Sequence, residues 1–407
     1  MAEPAAGPTA SADGGGDDEG PGGGDRDEPG GDSSGSDGLA VALVVPGDPA
    51  TTSGGFRYDR RLVAGLRAAG ATVRAFSVPW RRYPLGVLDA PGLATGIPRE
   101  LRDADAVVVD ELAHPGAWGL VRRLRRGGTP AVALVHHLRR AEGGRLAPVA
   151  TRLERLFLRG CSAAVCVSDA TERDVTALVD GLLTHVAPPP ADQFDPDVTP
   201  ADVDRRARES PFRVVSLGSL VPRKGHPTLL RALGGLGAGG SPAVGRHDAD
   251  PVTDWRATVV GPEPDPGHAR AVRALAADLG VADRVSFRGT LSTADLAAVL
   301  RESHALAVPS AHEGFGMAYL EGMGFGLPAV ASAAGGAGSV VTDGVDGFLV
   351  DPGDVTGVRD SLDALAGDRD RLARMGRAAL RRFDAHPDWA DTVAGVRDFL
   401  AEVADGG

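Results

Sequence analysis

Two short stretches concentrate residue types suited to a charged, oxygen-rich ligand. The first runs Val308-Pro-Ser-Ala-His-Glu-Gly-Phe-Gly-Met-Ala-Tyr-Leu-Glu321. An apolar run ends at Pro309, a glycine-bearing turn follows, and a helix is expected to begin after Glu313. Free amides at such a helix start can bind an anion or a sugar oxygen. Glu313 falls in the turn and Glu321 about two helical turns on, roughly 12 Å along the axis. Paired glycosidase carboxyls sit only about 5–10 Å apart, so this spacing does not suit two acids flanking one bond. It suits two contacts spread along a nucleotide sugar, one at the sugar hydroxyls and one at the ribose. The plainer alternative is a solvated helix face.

The second stretch is Val215-Ser-Leu-Gly-Ser-Leu-Val-Pro-Arg-Lys-Gly-His-Pro-Thr-Leu-Leu230. Here a strand, a glycine turn and two adjacent cations precede a helix. Arg223 offers a planar fork and Lys224 a point charge, a combination able to neutralise a diphosphate. The G-x-x-x-x-G-K-[ST] phosphate loop is absent. An ordinary basic loop is the alternative, but the chain has 42 Arg and a single Lys, and that Lys is Lys224. One count suggests a role Arg does not fill without proving it.

The elements around these stretches follow an alternating pattern. Short β-branched runs at Leu39–Val45, Val73–Val78, Ala104–Val109, Ala131–Val135 and Ala163–Val167 alternate with helical spacing such as Leu62, Val63, Leu66 and Ala69. Asp169–Leu178 reads as a helix with Asp169 and Glu172 placed as a capping box. A Pro- and Asp-rich segment, Ala187–Asp204, reads as a linker. The alternation then restarts with strands at Phe212–Leu217, Arg256–Val260, Val285–Phe287, Ala305–Pro309 and Ala329–Ala331. Helices are expected at Pro227–Leu233, His268–Leu279 and Thr293–Arg301, and the pattern is all helical from Val358 to Leu400. This is the α/β class with parallel sheets: two doubly wound halves and a cleft at strand C-terminal ends.

Composition sets the outer limits. With 407 residues and about 150 per domain, two or three units are expected. Residues 1–38 hold 12 Gly, ten acids, one Arg and no aromatic, the signature of a disordered acidic tail. The formal charge of −12 divides into −9 for that tail, +3 for residues 39–200 and −6 for 201–407. A basic nucleic-acid binder is therefore not expected. Asp outnumbers Glu by 41 to 14, a bias compatible with a salt-adapted host. Cys161 and Cys166 are too few and wrongly spaced for a disulfide scaffold or metal site. No apolar run reaches 18 residues and the start lacks a leader pattern, so a soluble cytoplasmic protein is expected.

The quoted stretches, together with Val259-Val-Gly-Pro262, Phe287-Arg-Gly-Thr-Leu291 and Gly326-Leu-Pro-Ala-Val-Ala-Ser332 followed by Gly335-Gly336, resemble the retaining glycosyltransferases of family 4. The resemblance covers essentially all of 39–400. It implies the GT-B fold: two Rossmann-like domains facing across a cleft, at 39–200 on the acceptor side and 201–375 for the nucleotide sugar, with helices 376–407 packing back on the first. By resemblance, Arg223 and Lys224 hold the donor diphosphate. Gly218 lets the chain approach the phosphates, with Gly261 beside it. Glu313 and the Gly314-Phe315-Gly316 turn hold the transferred sugar, and Glu321 the ribose hydroxyls. No metal or other cofactor is implied beyond the nucleotide-sugar co-substrate. Two departures bear on donor specificity: Ser219 stands where relatives often have Arg, and Ser339 where they often have Glu.

The first half should carry the acceptor, whether a glycan, a lipid-linked sugar or a small molecule. Gly54-Gly55 resembles the family's glycine-rich first loop, or is a plain loop. His136 and His137 end a strand at the cleft, and by resemblance one lies beside the sugar's reactive carbon. His136 is favoured, with helix capping as the alternative. Asp110, Glu111 and His114 end another strand, placed either to bind acceptor hydroxyls or to start a helix. Arginine pairs at 60/61, 81/82, 122/123, 125/126 and 139/140 suit either peripheral contact with an anionic membrane face or solvated helix surfaces. Gly235-Leu-Gly-Ala-Gly-Gly240 matches G-x-G-x-x-G but follows a helix, so it is read as a loop rather than a dinucleotide fingerprint. The reaction implied is sugar transfer from a nucleotide diphosphate to an acceptor hydroxyl with retention. The alternatives are a non-catalytic nucleotide-sugar binder, or a GT-B epimerase or phosphorylase.

Overall fold

A computed structural model of the chain describes residues 38–47, 54–81, 83–237 and 254–406. The expected acidic tail, Arg82 and most of the glycine-rich loops at 46–55 and 234–254 lie outside the described residues. The first half consists of β1 (Ala40–Pro46), α1 (Gly54–Ala68), β2 (Thr72–Val78), α2 (Ala90–Thr95), α3 (Arg99–Arg102), β3 (Ala106–Asp110) and α4 (His114–Arg126). It continues with β4 (Ala131–Val135), α5 (Ala147–Leu158), β5 (Ala163–Cys166), α6 (Asp169–Leu178) and β6 (Leu183–Val186). Then come α7 (Pro200–Ala207), β7 (Phe212–Leu217), α8 (His226–Gly234), β8 (Trp255–Val260), α9 (Pro266–Asp278), β9 (Val285–Phe287) and α10 (Thr293–Glu302). The chain closes with β10 (Ala305–Val308), α11 (Met317–Gly324), β11 (Ala329–Ser332), α12 (Ala337–Val340), β12 (Gly347–Val350), α13 (Val355–Gly367), α14 (Arg369–Asp384) and α15 (Trp389–Asp405).

These strands form two six-stranded sheets, ordered β2-β1-β3-β4-β5-β6 and β12-β11-β10-β7-β8-β9. Every paired strand is parallel. Central strands such as β4, Ala-Val-Ala-Leu-Val, are buried at every position, as helices on both faces require. Alternate residues of β1 feed opposite cores: Val41, Leu43 and Val45 one, Ala42 and Val44 the other. Order reverses beside β1 in the first sheet and beside β7 in the second, and ligands of open α/β sheets collect at such switch points. The loops after β7 and β10, which carry Lys224 and Glu313, flank one of them.

Several boundaries differ from expectation. Strand β6, Leu-Thr-His-Val, escapes the apolar-run signal because it is a sheet edge and only partly buried, while β12, Gly-Phe-Leu-Val, was missed although its apolar residues run together. Gly54 and Gly55 open α1 instead of forming a turn before it. The N-cap of α6 is Ser168, which has extended backbone and accepts from the Thr171 amide, so Asp169 is the first helical residue. The expected linker ends early, because Thr199 and Asp202 form a capping box that starts α7. Helix α14 crosses residue 376 unbroken. Helix α15 lies along α1: the rings of Trp389 and Tyr58 are 5.3 Å apart, and Val393 fills the space over Gly65.

Candidate active site

On the second half the site is built around Glu313, which is 8% exposed. Its Oε1 accepts from Lys224 Nζ at 2.7 Å and from Ser310 Oγ at 2.5 Å. Its Oε2 faces Arg223 Nη1 at 3.6 Å. Arg223 also donates to the His312 carbonyl at 3.1 Å, while the Ala311 amide donates back to the Arg223 carbonyl at 2.7 Å. The two sequence stretches are thus tied into one structure. Burial alone would raise the Glu313 carboxyl, but the Lys224 charge and hydrogen bond, the Ser310 hydroxyl and Arg223 outweigh it and hold Glu313 below its ordinary range.

The cations are presented differently. Arg223 is 40% exposed at its side chain and Lys224 only 15%. Lys224 lies over Gly218, where a Cβ would stand 3.0 Å from its Cε. Gly218 in turn is pressed by Gly261, whose φ of +153° and close approach leave no room for a side chain, since a Cβ there would lie 2.1 Å from the Gly218 carbonyl oxygen. Gly316 caps the start of α11. Phe315 turns its ring to His386, 5.6 Å between centroids, so what it can offer a ligand is its backbone amide.

Glu321, on α11, is pushed up to about 7 by burial, with Asp192 adding to the rise and Arg57 and Lys224 opposing it. Arg57, on α1 of the other half, lies 3.8 Å from Glu321, donates to Gln193 Oε1 at 2.9 Å and pairs with Asp192. Neither Arg57 nor Asp192 carries a motif that sequence reading could have found.

The first half contributes a buried acidic group around one histidine. His136 directly follows β4, and its backbone N–H donates to Glu111 Oε2 at 2.9 Å. Its ring Nε2 meets Asp59 Oδ1 at 3.1 Å. Tyr58 packs edge-on to the ring at 5.3 Å. Burial would lower this imidazole, yet Asp59, by charge and hydrogen bond, with Glu111 and Asp110, holds it up at about 10. The Asp110 carboxyl is raised by burial and by Glu111 and Asp59.

Glu111 and Asp110, placed by sequence at acceptor hydroxyls or a helix start, have internal partners: Asp110 caps the turn through the Leu112 amide, and Glu111 holds His136. His114 is buried, with its Nδ1 2.7 Å from the Glu111 carbonyl oxygen. Asp59 was missed, although a signal existed: it sits on the α1 stripe with Phe56, Leu62 and Leu66, where an apolar residue is expected. Asp59, Asp110 and His136 each bring one ligand atom to within 4.8 Å of the others, the one such group among the described residues.

The two halves meet at Gly314. A Cβ there would lie 2.4 Å from the His136 carbonyl oxygen, so only glycine lets the turn come this close. The Ser168 hydroxyl donates to the Gly314 carbonyl at 2.8 Å. His137 and His312 face each other with ring centroids 6.1 Å apart. Gly55 lies against the His136 ring, where a Cβ would be 3.3 Å from Cδ2. Gly54 begins the same helix. Gly314 and His312 of the second half therefore lie against His136 and His137 of the first.

Several arginine pairs are internally engaged. Arg61 pairs with Asp192, Arg81 with Asp89 and Arg140 with Asp174, while Arg125 reaches the Arg159 carbonyl. No helix among the described residues is long and apolar enough to cross a membrane.

Comparison with known proteins gives the family and the fold. Residues 199–382 match the family described as glycosyl transferases group 1, and residues 36–192 match glycosyltransferase family 4. The chain is 32% identical over 294 residues to a GDP-mannose-dependent alpha-(1-6)-phosphatidylinositol monomannoside mannosyltransferase of Mycobacterium tuberculosis, covering 69% of this chain and 72% of that one. It is 30% identical over 355 residues to a D-inositol 3-phosphate glycosyltransferase of Salinispora tropica, covering 78% and 70%. In fold it resembles sucrose-phosphate synthase from Thermosynechococcus elongatus, with a TM-score of 0.74 at 19% identity over 91% of this chain and all of that one. Anabaena HepE, solved with UDP and glucose, gives 0.68 at 20% over 89% of this chain and all of that one. The chain belongs to the family 4 glycosyltransferases and has the GT-B fold.

Proposed function

We propose that this glycosyltransferase moves a hexose from a nucleoside diphosphate sugar to an acceptor hydroxyl with retention and without a catalytic metal. The observation that carries the reading is the Lys224–Glu313 pair at 2.7 Å, set at the ends of neighbouring strands and opposite His136. As the glycosidic bond breaks, negative charge grows on the leaving diphosphate. Arg223 and Lys224 stabilise that charge more in the transition state than in the ground state. Glu313 sets the ammonium position and presents its carboxylate edge to the sugar hydroxyls. Glu321 accepts from the ribose hydroxyls. Close approach of the halves at Gly314 excludes water, so the electron-poor carbon meets the acceptor. With the carboxylates of the first half engaged by internal partners, the acceptor proton is assigned to a donor phosphate oxygen on the same face.

The GDP-mannose-dependent mannosyltransferase relative makes GDP-mannose the first donor to try, and the inositol phosphate relatives suggest polyol acceptors beside lipid-linked ones. Work at the inner membrane face from the cytoplasm is part of this reading, and nucleic acid is not a partner in it. The test is a thermal-shift series with UDP, GDP, ADP and their hexose forms at low and multimolar salt, because a ligand of the native state raises the melting temperature by mass action. A shift with one nucleotide family supports the reading and names the base. No shift with any of them, in a protein that melts cooperatively, sinks it in favour of a non-catalytic role.

A further inference from the structure

We propose that Asp59, on α1, is a positioning residue for the transfer reaction: it grips Nε2 of His136 and so fixes which edge of the imidazole meets the donor. The inference rests on the proposed function, with His136 beside the transferred sugar as the family resemblance implies. Asp59 is 2% exposed and projects from a helix otherwise buried through apolar side chains. A carboxylate is costly there unless it is paired. Its partner is His136 Nε2 at 3.1 Å.

The residue has three further contacts, one at its backbone and two at its ring. Glu111 Oε2 takes the His136 backbone N–H at 2.9 Å. Tyr58 stands edge-on at 5.3 Å, itself fixed by donation of its hydroxyl to the Ala187 carbonyl at 3.0 Å. Gly55 leaves just enough room for the ring. With Nε2 committed to Asp59, any hydrogen bond from the ring to a ligand comes from Nδ1. An orienting acceptor behind a histidine is a general way to fix ring tautomer and direction.

Asp59 also bears on charge. The groups facing the imidazole are Asp59 and Tyr58 from α1, Asp110 and Glu111 from the end of β3, and His137 beside it. Glu111 already serves the backbone N–H and Asp110 the Leu112 amide, so Asp59 is the acid bonded to the ring. A ring kept as imidazolium donates from Nδ1 to an oxygen gaining negative charge, and one that loses its proton does so less well. Removing the Asp59 charge should bring the imidazole titration down into the accessible pH range.

The test uses the full chain with Asp59→Asn, which keeps the side-chain shape. Two readouts are needed. The first is the 15N shifts of His136 from pH 5.5 to 9.5, assigned with His136→Gln. The second is the release of nucleoside diphosphate from GDP-mannose or UDP-glucose, whichever raises the melting temperature. The expected result is a wild-type imidazole that stays protonated through pH 8 and a variant that titrates near neutrality. The variant's kcat should be down about 10- to 100-fold at pH 8, partly recovered at pH 6, with donor KM little changed. In the His136→Gln background, Asp59→Asn should cost nothing further. An unchanged His136 titration, or an equal further loss in that background, overturns the proposal. Wild-type turnover by His136→Gln would instead sink the placement of His136 at the sugar, whatever Asp59 does.

Discussion

Lys224 Nζ and Glu313 Oε1 are 2.7 Å apart although 89 residues separate them in sequence. The pair joins the loop after β7 to the loop after β10, adjacent strands in the second sheet. Because the Lys224 stem lies over Gly218, the ammonium is held in place from below as well as by its acid.

Replacing either member should therefore abolish most turnover. Lys224→Ala and Glu313→Gln are each expected to lower kcat/KM for the donor by about 10²- to 10³-fold, the scale for loss of one preorganised charge-stabilising group. Both should keep cooperative melting and secondary structure by circular dichroism. Lys224→Arg is expected to fail as well, since the bulkier fork does not fit over Gly218 beside Ser310. Wild-type kinetics in any of the three would remove the pair from the site.

The Glu321 carboxyl, raised to about 7 by burial, should make donor binding pH-dependent. A carboxylate accepts from two ribose hydroxyls, whereas its protonated form loses part of that capacity. Donor KM is therefore expected to rise as pH falls from 8 to 6, and Glu321→Gln should be weaker throughout and flat across that range. The sign for stability is opposite. A carboxyl raised in the folded state binds more protons there than in the unfolded chain, so this group's contribution declines as pH rises from its ordinary 4.5 towards 7. Parallel KM profiles for the two proteins would refute the assignment.

Gly314→Ala tests the closeness of the halves. Its Cβ would stand 2.4 Å from the His136 carbonyl oxygen, and neither side of that contact is a movable side-chain tip. A displacement of about 1 Å at a reacting centre can cost on the order of 10²-fold. We expect a loss of that order in kcat with nucleoside diphosphate binding largely kept, measured by steady-state kinetics and calorimetry. Normal kcat would show that the turn need not approach His136 during transfer.

Chelation tests the absence of a catalytic metal. Turnover is expected to be unchanged after exhaustive EDTA treatment and to gain nothing from Mg²⁺ or Mn²⁺. Loss on chelation with recovery on adding either ion would place a cation among Asp59, Asp110 and His136, the group whose ligand atoms lie within 4.8 Å of one another.

Sequence alone determined the class of fold, because buried parallel strands must be apolar throughout and their spacing by helices is periodic. It also singled out Arg223, Lys224, Glu313 and Glu321 as charged residues beside glycine turns, and the structure brings the first three together. Edge strand β6 was not legible, since a half-buried strand such as Leu-Thr-His-Val carries no continuous apolar run. Tertiary structure decided the rest. That Lys224 pairs with Glu313, that Arg57 reaches Glu321 and that Gly314 abuts His136 depend on which strands become neighbours and how closely the halves pack. Asp59 shows the division most plainly. On α1 it reads as one acid interrupting an apolar stripe, and only the arrival of β4 against that helix supplies the imidazole that accounts for it.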